Sequence, residues 1–181
     1  MESLEFGAKS HFSINPLTPE DVLATKQMHA RSWIETYPNA ALGITKEWIR
    51  ERMAKKLTDE AIAEQRERVR GQMGDPNHLD LAAKDDNGEV IGLVHAYRNE
   101  EGKNILGALY TDSRFHGSGL AKDLMDKVIA WSDADRPIFT SVATYNERAR
   151  RFYEKMGFRE IPNSEHLFDE KIPEIDLIRE V

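Results

Sequence analysis

LYTDSRFHGSGLAKDLMDKVIAW, residues 109–131, changes period halfway along. Its first residues are apolar and strand-like. From Gly117 to about Ser132 the apolar positions Leu120, Leu124, Val128 and Trp131 recur at helical spacing, with Lys122, Asp123, Asp126 and Lys127 on the opposite face. Between the two lies RFHGSGLA (114–121), which sets Gly117 and Gly119 one residue apart in a chain with 11 glycines. Glycines at the mouth of a helix let a ligand approach the backbone. Successive N–H groups and the helix dipole then favour a negative charge, and a diphosphate fits that description. Taken alone, the pair reads equally well as a plain strand-to-helix turn. No third glycine follows at dinucleotide-fingerprint spacing, and no Gly-Lys-Ser/Thr occurs.

Working outward, PIFTSVAT (137–144) reads as a buried strand and NERARRFYEKMG (146–157) as a short helix. KNILGALYT (103–111) is the strand that leads into the glycines. HLDLAAKDDNGEVIGLVHAY folds back on itself at Asn87-Gly88, a strong hairpin signal. Further upstream, HFSINPL (11–17) reads as an edge strand, because Pro16 cannot donate to a ladder. Thr18 or Pro19 opens a helix that stops at Tyr37-Pro38, and Thr45 to about Met73 reads as one charge-rich, solvated helix. FREI and PEIDLIREV close the chain as strands, while residues 1–10 read as a loose end. The expected architecture is a mixed α/β sheet, largely antiparallel and packed with helices, in a single domain spanning 1–181.

Composition narrows the function. The chain is 40% hydrophobic and 31% charged, with a net charge of −7, which disfavours nucleic acid as the main partner. It has no cysteine, which excludes disulfides, thiolate metal sites and a cysteine acyl-enzyme. The six histidines show no metal-ligand spacing, so no metal is expected. MESLEFGAKSHF is unlike a signal peptide, and no apolar run approaches the ~18 residues of a membrane span, so a cytoplasmic location away from membranes is expected.

A second constellation follows about thirty residues after the glycines: Asn146, Ala149, Phe152, Tyr153, Gly157 and Phe158, in the pattern N-x-x-A-x-x-F-Y-x-x-x-G-F. Asn146 and Tyr153, seven apart, share one helix face. That helix follows a strand read as parallel to the one ending at Thr111. R-x-x-G-x-G-L-A (Arg114 to Ala121) after an apolar strand, followed by this segment, resembles the GNAT superfamily of acetyl-CoA-dependent N-acetyltransferases. The resemblance covers residues 79–160 well, and the N-terminal helices only through His29, Ser32-Trp33 and Thr36-Tyr37. It implies that the loop Arg114, His116, Gly117, Ser118, Gly119, Leu120 and Ala121 binds the CoA pyrophosphate. Leu109, Tyr110 and Thr111 would pair their backbone with the pantetheine arm, beside two strands that splay to admit the thioester. Thr111 stands where the family usually has Val, which is harmless for a backbone contact.

Acetyl transfer to an amine requires a neutral nucleophile, a donor for the oxyanion and a proton for the departing thiolate. Without a cysteine, direct attack in a ternary complex is the economical mechanism. A backbone N–H near Leu109 or Tyr110 would meet the oxyanion. The resemblance makes Tyr153 the general acid, and makes Asn146 a pantetheine contact as well as a helix cap. The strand before the glycines lacks the Glu or His that many relatives carry there. A water chain is therefore the expected route for the amine proton, with Glu35 and His95 fitting by chemistry alone. Trp33 and Tyr37 read as core or acceptor-pocket wall, and Trp48 as core. From Glu160 to Val181 seven acids face two bases, which suits a cationic acceptor such as a polyamine or lysine; a small amine or peptide N-terminus also fits. The expected partners are acetyl-CoA and an amine acceptor, with a homodimer left open. The rival reading is a CoA-binding module without catalysis.

Overall fold

The computed structural model describes residues 11–132 and 135–181; the N-terminal end read as loose lies outside them. An eight-stranded sheet runs β1 (Phe12–Pro16), β2 (His78–Asp85), β3 (Val90–Arg98), β4 (Asn104–Thr111), β5 (Ile138–Ala143), β8 (Ile172–Arg179) and β6 (Arg159–Glu160), with β7 (His166–Phe168) also on β8. All pairings are antiparallel except β4 with β5. The β2–β3 hairpin turns at Asp86-Asn87, where Gly88 N–H donates to the Asp85 carbonyl and the Asp85 carboxylate accepts from the amides of Asn87 and Glu89.

One face of the sheet carries α4 (Leu120–Trp131) and α5 (Glu147–Lys155). Leu120, Leu124, Met125 and Val128 are fully buried there against Val94, Leu106, Ile138 and Val142, so the helical stripe read from the sequence is the core seam. Trp131 is only partly buried; its indole N–H donates to the Pro76 carbonyl and Arg98 lies over its ring. The other face carries α1 (Val22–Thr36), α2 (Lys46–Ala54) and α3 (Asp59–Gln72).

Three sequence expectations change. The helix read from Thr45 to Met73 is two helices, because Thr58 accepts the Ala61 amide at 3.2 Å and starts α3 as an N-cap. The Thr58-Asp59-Glu60 start signal was present in the sequence, hidden inside a continuous run of charges. The helix read from Gly117 starts at Leu120, because Gly117 and Gly119 take positive φ (84° and 95°) and form the turn before it. The closing region holds three strands rather than two, with β7 added between β6 and β8.

Leu124 is 0% exposed and sits under Gly92, where a Cβ would approach its Cδ1 to 3.2 Å. Leu124→Ala should destabilise the protein by about 2–5 kcal/mol, the range for a cavity in a tight core. Urea denaturation should show a lower midpoint with an unchanged slope.

Candidate active site

The parallel pair at the centre of the sheet is short. Only Asn104↔Ile138 and Ile105↔Phe139 are in register, after which β4 and β5 diverge. The Thr140 hydroxyl donates to the Leu106 carbonyl at 2.8 Å, supplying the bond that the next backbone partner would have made. Beyond that point β4 pairs on one side only, with β3. Asp112 N–H donates to Ile91 at the end of this ladder, and antiparallel bonds alternate. Tyr110 and Ala108 therefore spend their backbone groups on Leu93 and His95, while the N–H and C=O of Leu109 and Thr111 point into the gap.

The gap opens into a cavity of about 420 Å³. Leu109, Tyr110 and Thr111 form one bank, and Thr140, Ser141 and Val142 of β5 the other. Asn146 and Tyr153 both reach it from α5, as their seven-residue spacing implied. Asn146 Oδ1 caps the helix, accepting the Ala149 amide at 3.2 Å. Tyr153 is 8% exposed, and burial pushes its phenol well above the ordinary tyrosine range.

His116, Gly117, Gly119 and Ala121 line the opposite end, with Lys122 and Arg148. The first intrahelical bond of α4 runs from Asp123 N–H to Gly119, and Leu120 N–H is held by Ser118 Oγ at 3.3 Å. Helical geometry thus leaves the amides of Gly119, Ala121 and Lys122 aimed out of the first turn. His116 Nδ1 lies 2.7 Å from Arg148 Nη1. Burial first, then the Arg148 charge, hold its imidazole below the ordinary histidine range. Arg148 and three amides of the first turn converge on one end of the cavity, which suits an anion; Lys122 lines the same end, with its ammonium 2.6 Å from Asp126.

Other expected site residues stand elsewhere. The Arg114 guanidinium is turned away from the cavity wall onto Asp112 and Glu89, at 2.8 Å from each. Ser118 contributes its hydroxyl to the loop itself, donating to the Phe115 carbonyl, and the Leu120 side chain is wholly buried in the core. Trp33 is 4% exposed and lies in the core, its indole N–H shared between His29 Nε2 (2.8 Å) and the Tyr110 hydroxyl (3.1 Å). Burial and the nearby Lys56 and Lys26 push His29 down to about 3, so it is a neutral acceptor. Tyr37 does line the cavity, with its hydroxyl 3.0 Å from that of Tyr110. Trp48 is half-buried at the edge of the core, under the Arg52 and Lys171 side chains. Glu35 is exposed on α1, where His116 feels its charge; that places it at the anion end. His95 lies on β3 beside the β4 wall, outside the cavity lining.

Sequence reading missed Thr140, Arg148 and Glu174. Thr140 had no motif to announce it, and Arg148 was one of several arginines on α5. Glu174 faces Ala143 across β5–β8, and burial raises its carboxyl above the ordinary range. The tyrosines Tyr37, Tyr110, Tyr145 and Tyr153 all feel its charge.

A splayed parallel pair beside a glycine-led helix is the arrangement of a GNAT fold. The model of the Acetyltransferase (GNAT) family matches residues 31–158, and the chain belongs to that family. It is 36% identical over 88 residues to an uncharacterized N-acetyltransferase of Mycobacterium tuberculosis, a match covering 47% of this chain and 55% of that protein. It is 33% identical over 82 residues to human N-acetylaspartate synthetase, covering 44% of this chain and 27% of that one. The chain thus matches about half the length, or less, of these curated relatives. Among solved structures, the PaiA N-acetyltransferase of Thermoplasma acidophilum, in complex with coenzyme A, superposes with a TM-score of 0.71 at 19% identity, covering 92% of this chain and 98% of that one. A GNAT-family acetyltransferase of Streptococcus pneumoniae gives 0.68 at 22%, covering 93% and 98%.

Thr140→Val keeps the side-chain shape but leaves the Leu106 carbonyl without its partner. A loss of about 1–3 kcal/mol is expected, the cost of an unsatisfied buried acceptor. Thermal denaturation of the two proteins side by side checks it.

Proposed function

We propose that this protein is an N-acetyltransferase that moves the acetyl group of acetyl-CoA to a primary amine while both are bound. The observation that carries the reading is one continuous cavity. It joins an anion-attracting helix start to a strand gap with free backbone groups, and has a buried tyrosine on its wall. The family membership and the CoA complex of a structural neighbour support the same cofactor.

In this reading the pyrophosphate takes the amides of Gly119, Ala121 and Lys122, with Arg148 and Lys122 as countercharges. The pantetheine arm lies in the gap as an extra strand, paired to Leu109 and Thr111, with Asn146 beside it. Leu109 N–H, which points into the gap, is the better oxyanion donor of the two expected; Tyr110 N–H is already committed to Leu93. The amine nitrogen forms its bond to the thioester carbon as the C–S bond breaks. Tyr153, kept protonated by burial, gives its proton to the sulfur, and the phenol is restored by the proton that the nitrogen sheds.

Acetyl-CoA should raise the thermal midpoint in a concentration-dependent way through mass action. No response at millimolar concentration would remove the reading. In Gly119→Val the substituted Cβ meets no neighbouring atom, but φ of 95° strains it. The variant should lose about 1–2 kcal/mol of stability, and its CoA affinity should fall by about tenfold or more through loss of charge-assisted amide bonds. Calorimetric titration below the melting range separates the two effects.

Tyr153→Phe should leave acetyl-CoA affinity near the parental value. Turnover should fall by about 10², the low end for a positioned acid, because a thiolate departs tolerably well unprotonated. The fall should appear in kcat and kcat/KM alike, measured by free-thiol release with an amine that the parent acetylates. Acetyl-CoA binding with no transfer to any amine would favour a non-catalytic CoA-binding module.

A further inference from the structure

Beside the cavity stands a polar pair that the reading above does not use. Asp80 of β2 and His95 of β3 are register partners, and His95 Nδ1 lies 2.7 Å from Asp80 Oδ1. Their side chains are 24% (His95) and 14% (Asp80) exposed. A carboxylate accepts, so in the neutral ring Nδ1 carries the proton and Nε2 keeps its lone pair. Tyr97 stacks on the imidazole at 5.3 Å and 25°, which fixes the plane of the ring.

The connection to the cavity is Gly107. The β3–β4 register shifts between His95 and Ala96, so that Ala108 faces His95 and Leu106 faces Ala96, leaving Gly107 as the extra residue of a bulge. Gly107 is exposed and lines the cavity, yet it is not among the positive-φ glycines, so backbone conformation does not demand it. Space does. A Cβ there would come within 3.1 Å of His95 Cδ2 and 3.3 Å of Tyr97 Cε1. Cδ2 is bonded to Nε2, so the ring edge bearing the free nitrogen lies against a stretch of cavity wall that has no side chain.

We propose that His95, oriented by Asp80, is the general base for the incoming amine, which it meets past the bare backbone of Gly107. This rests on the acetyl-transfer reading. A primary amine arrives as ammonium and must lose one proton before its lone pair can attack. Nε2 accepts that proton and the imidazolium returns it to solvent. The second proton that nitrogen sheds, as the C–S bond breaks, balances the one Tyr153 gives to sulfur. The expected water chain is replaced by a side chain, and Glu35, the other side chain weighed, stands at the anion end. The charged groups around the pair are Asp80 from β2 and, from α1, Lys26, which feels Asp80 and also Lys56 and Arg68. Facing His95, β4 offers Gly107 and Ala108 and no charge.

The test uses the full chain and His95→Gln, whose amide can still donate to Asp80. Calorimetry should give parental acetyl-CoA affinity. With an amine the parent acetylates, kcat/KM should fall by about 10²–10³, and the decline of kcat/KM on the acid side should flatten, which a packing role would not produce. Asp80→Asn, acting through His95, should lower kcat without weakening acetyl-CoA binding. Nitrogen-15 NMR of the parent should show His95 in the Nδ1–H tautomer, a readout that needs no acceptor. An Nε2–H tautomer overturns the proposal. So does a His95→Gln enzyme with the parental rate and acid limb, or an acid limb that is lost in Glu174→Gln instead; in either case acetyl transfer by the parent still stands. A parent that acetylates no amine overturns both readings together.

Discussion

The site depends on how briefly β4 and β5 pair. Two residues of parallel register hold the strands together, and then the Thr140 hydroxyl takes over the Leu106 carbonyl and lets them part. Had the ladder continued, Leu109 and Thr111 would bond to β5 and no cavity would exist. A backbone edge left open inside a protein has to find partners, from solvent or from a ligand that mimics a strand. The divergence thus creates both the space and the hydrogen-bonding demand that fills it. The bulge at Gly107 lies on the same stretch of β4, so the strand is irregular toward both neighbours where it borders the cavity.

The cavity is electrically uneven along its length. One end gathers Arg148, Lys122 and the unpaired amides of α4. The other gathers phenols, Tyr37, Tyr110 and Tyr153, each raised further by the charge of Glu174 on β8 nearby. Of the acids of the closing segment, Glu174 and Asp176 stand on β8, across β5 from the gap, while Glu160, Asp169 and Glu180 are paired with Arg150, Arg52 and Arg159. Arg114, the first residue of the glycine motif, belongs to neither end. Its pairing with Asp112 and Glu89 ties the loop back to the β2–β3 hairpin, and Arg31 of α1 reaches the same two carboxylates at 3.8 and 3.5 Å. The Glu89 pairs are about half exposed and contribute little stability, whereas Asp112 is buried and takes hydrogen bonds from the Arg114 guanidinium and backbone amide.

Much of this was legible in the residues alone. The period change at Gly117 and Gly119, the hairpin at Asn87-Gly88 and the stripe Leu120, Leu124 and Val128 are local signals, set by backbone conformation and by burial of one helix face, so the chain announces them without its neighbours. The same holds for the shared face of Asn146 and Tyr153, which follows from helical pitch. Even the break at Thr58 was written locally, though the surrounding charges concealed it. What the sequence left undecided were relations between segments far apart in the chain. That Thr140 would bridge to Leu106, that Arg148 would meet His116, that Trp33 would reach Tyr110, and that a Cβ at Gly107 would crowd the His95 ring all depend on strand register and on where two strands separate. Register is a collective outcome of packing both sheet faces at once, and no short window of residues carries it. The sequence by itself determined most of the elements and the glycine turn that opens α4; only the tertiary structure decided which side chains stand at the gap, because a distance across a sheet is fixed by packing and not by spacing along the chain.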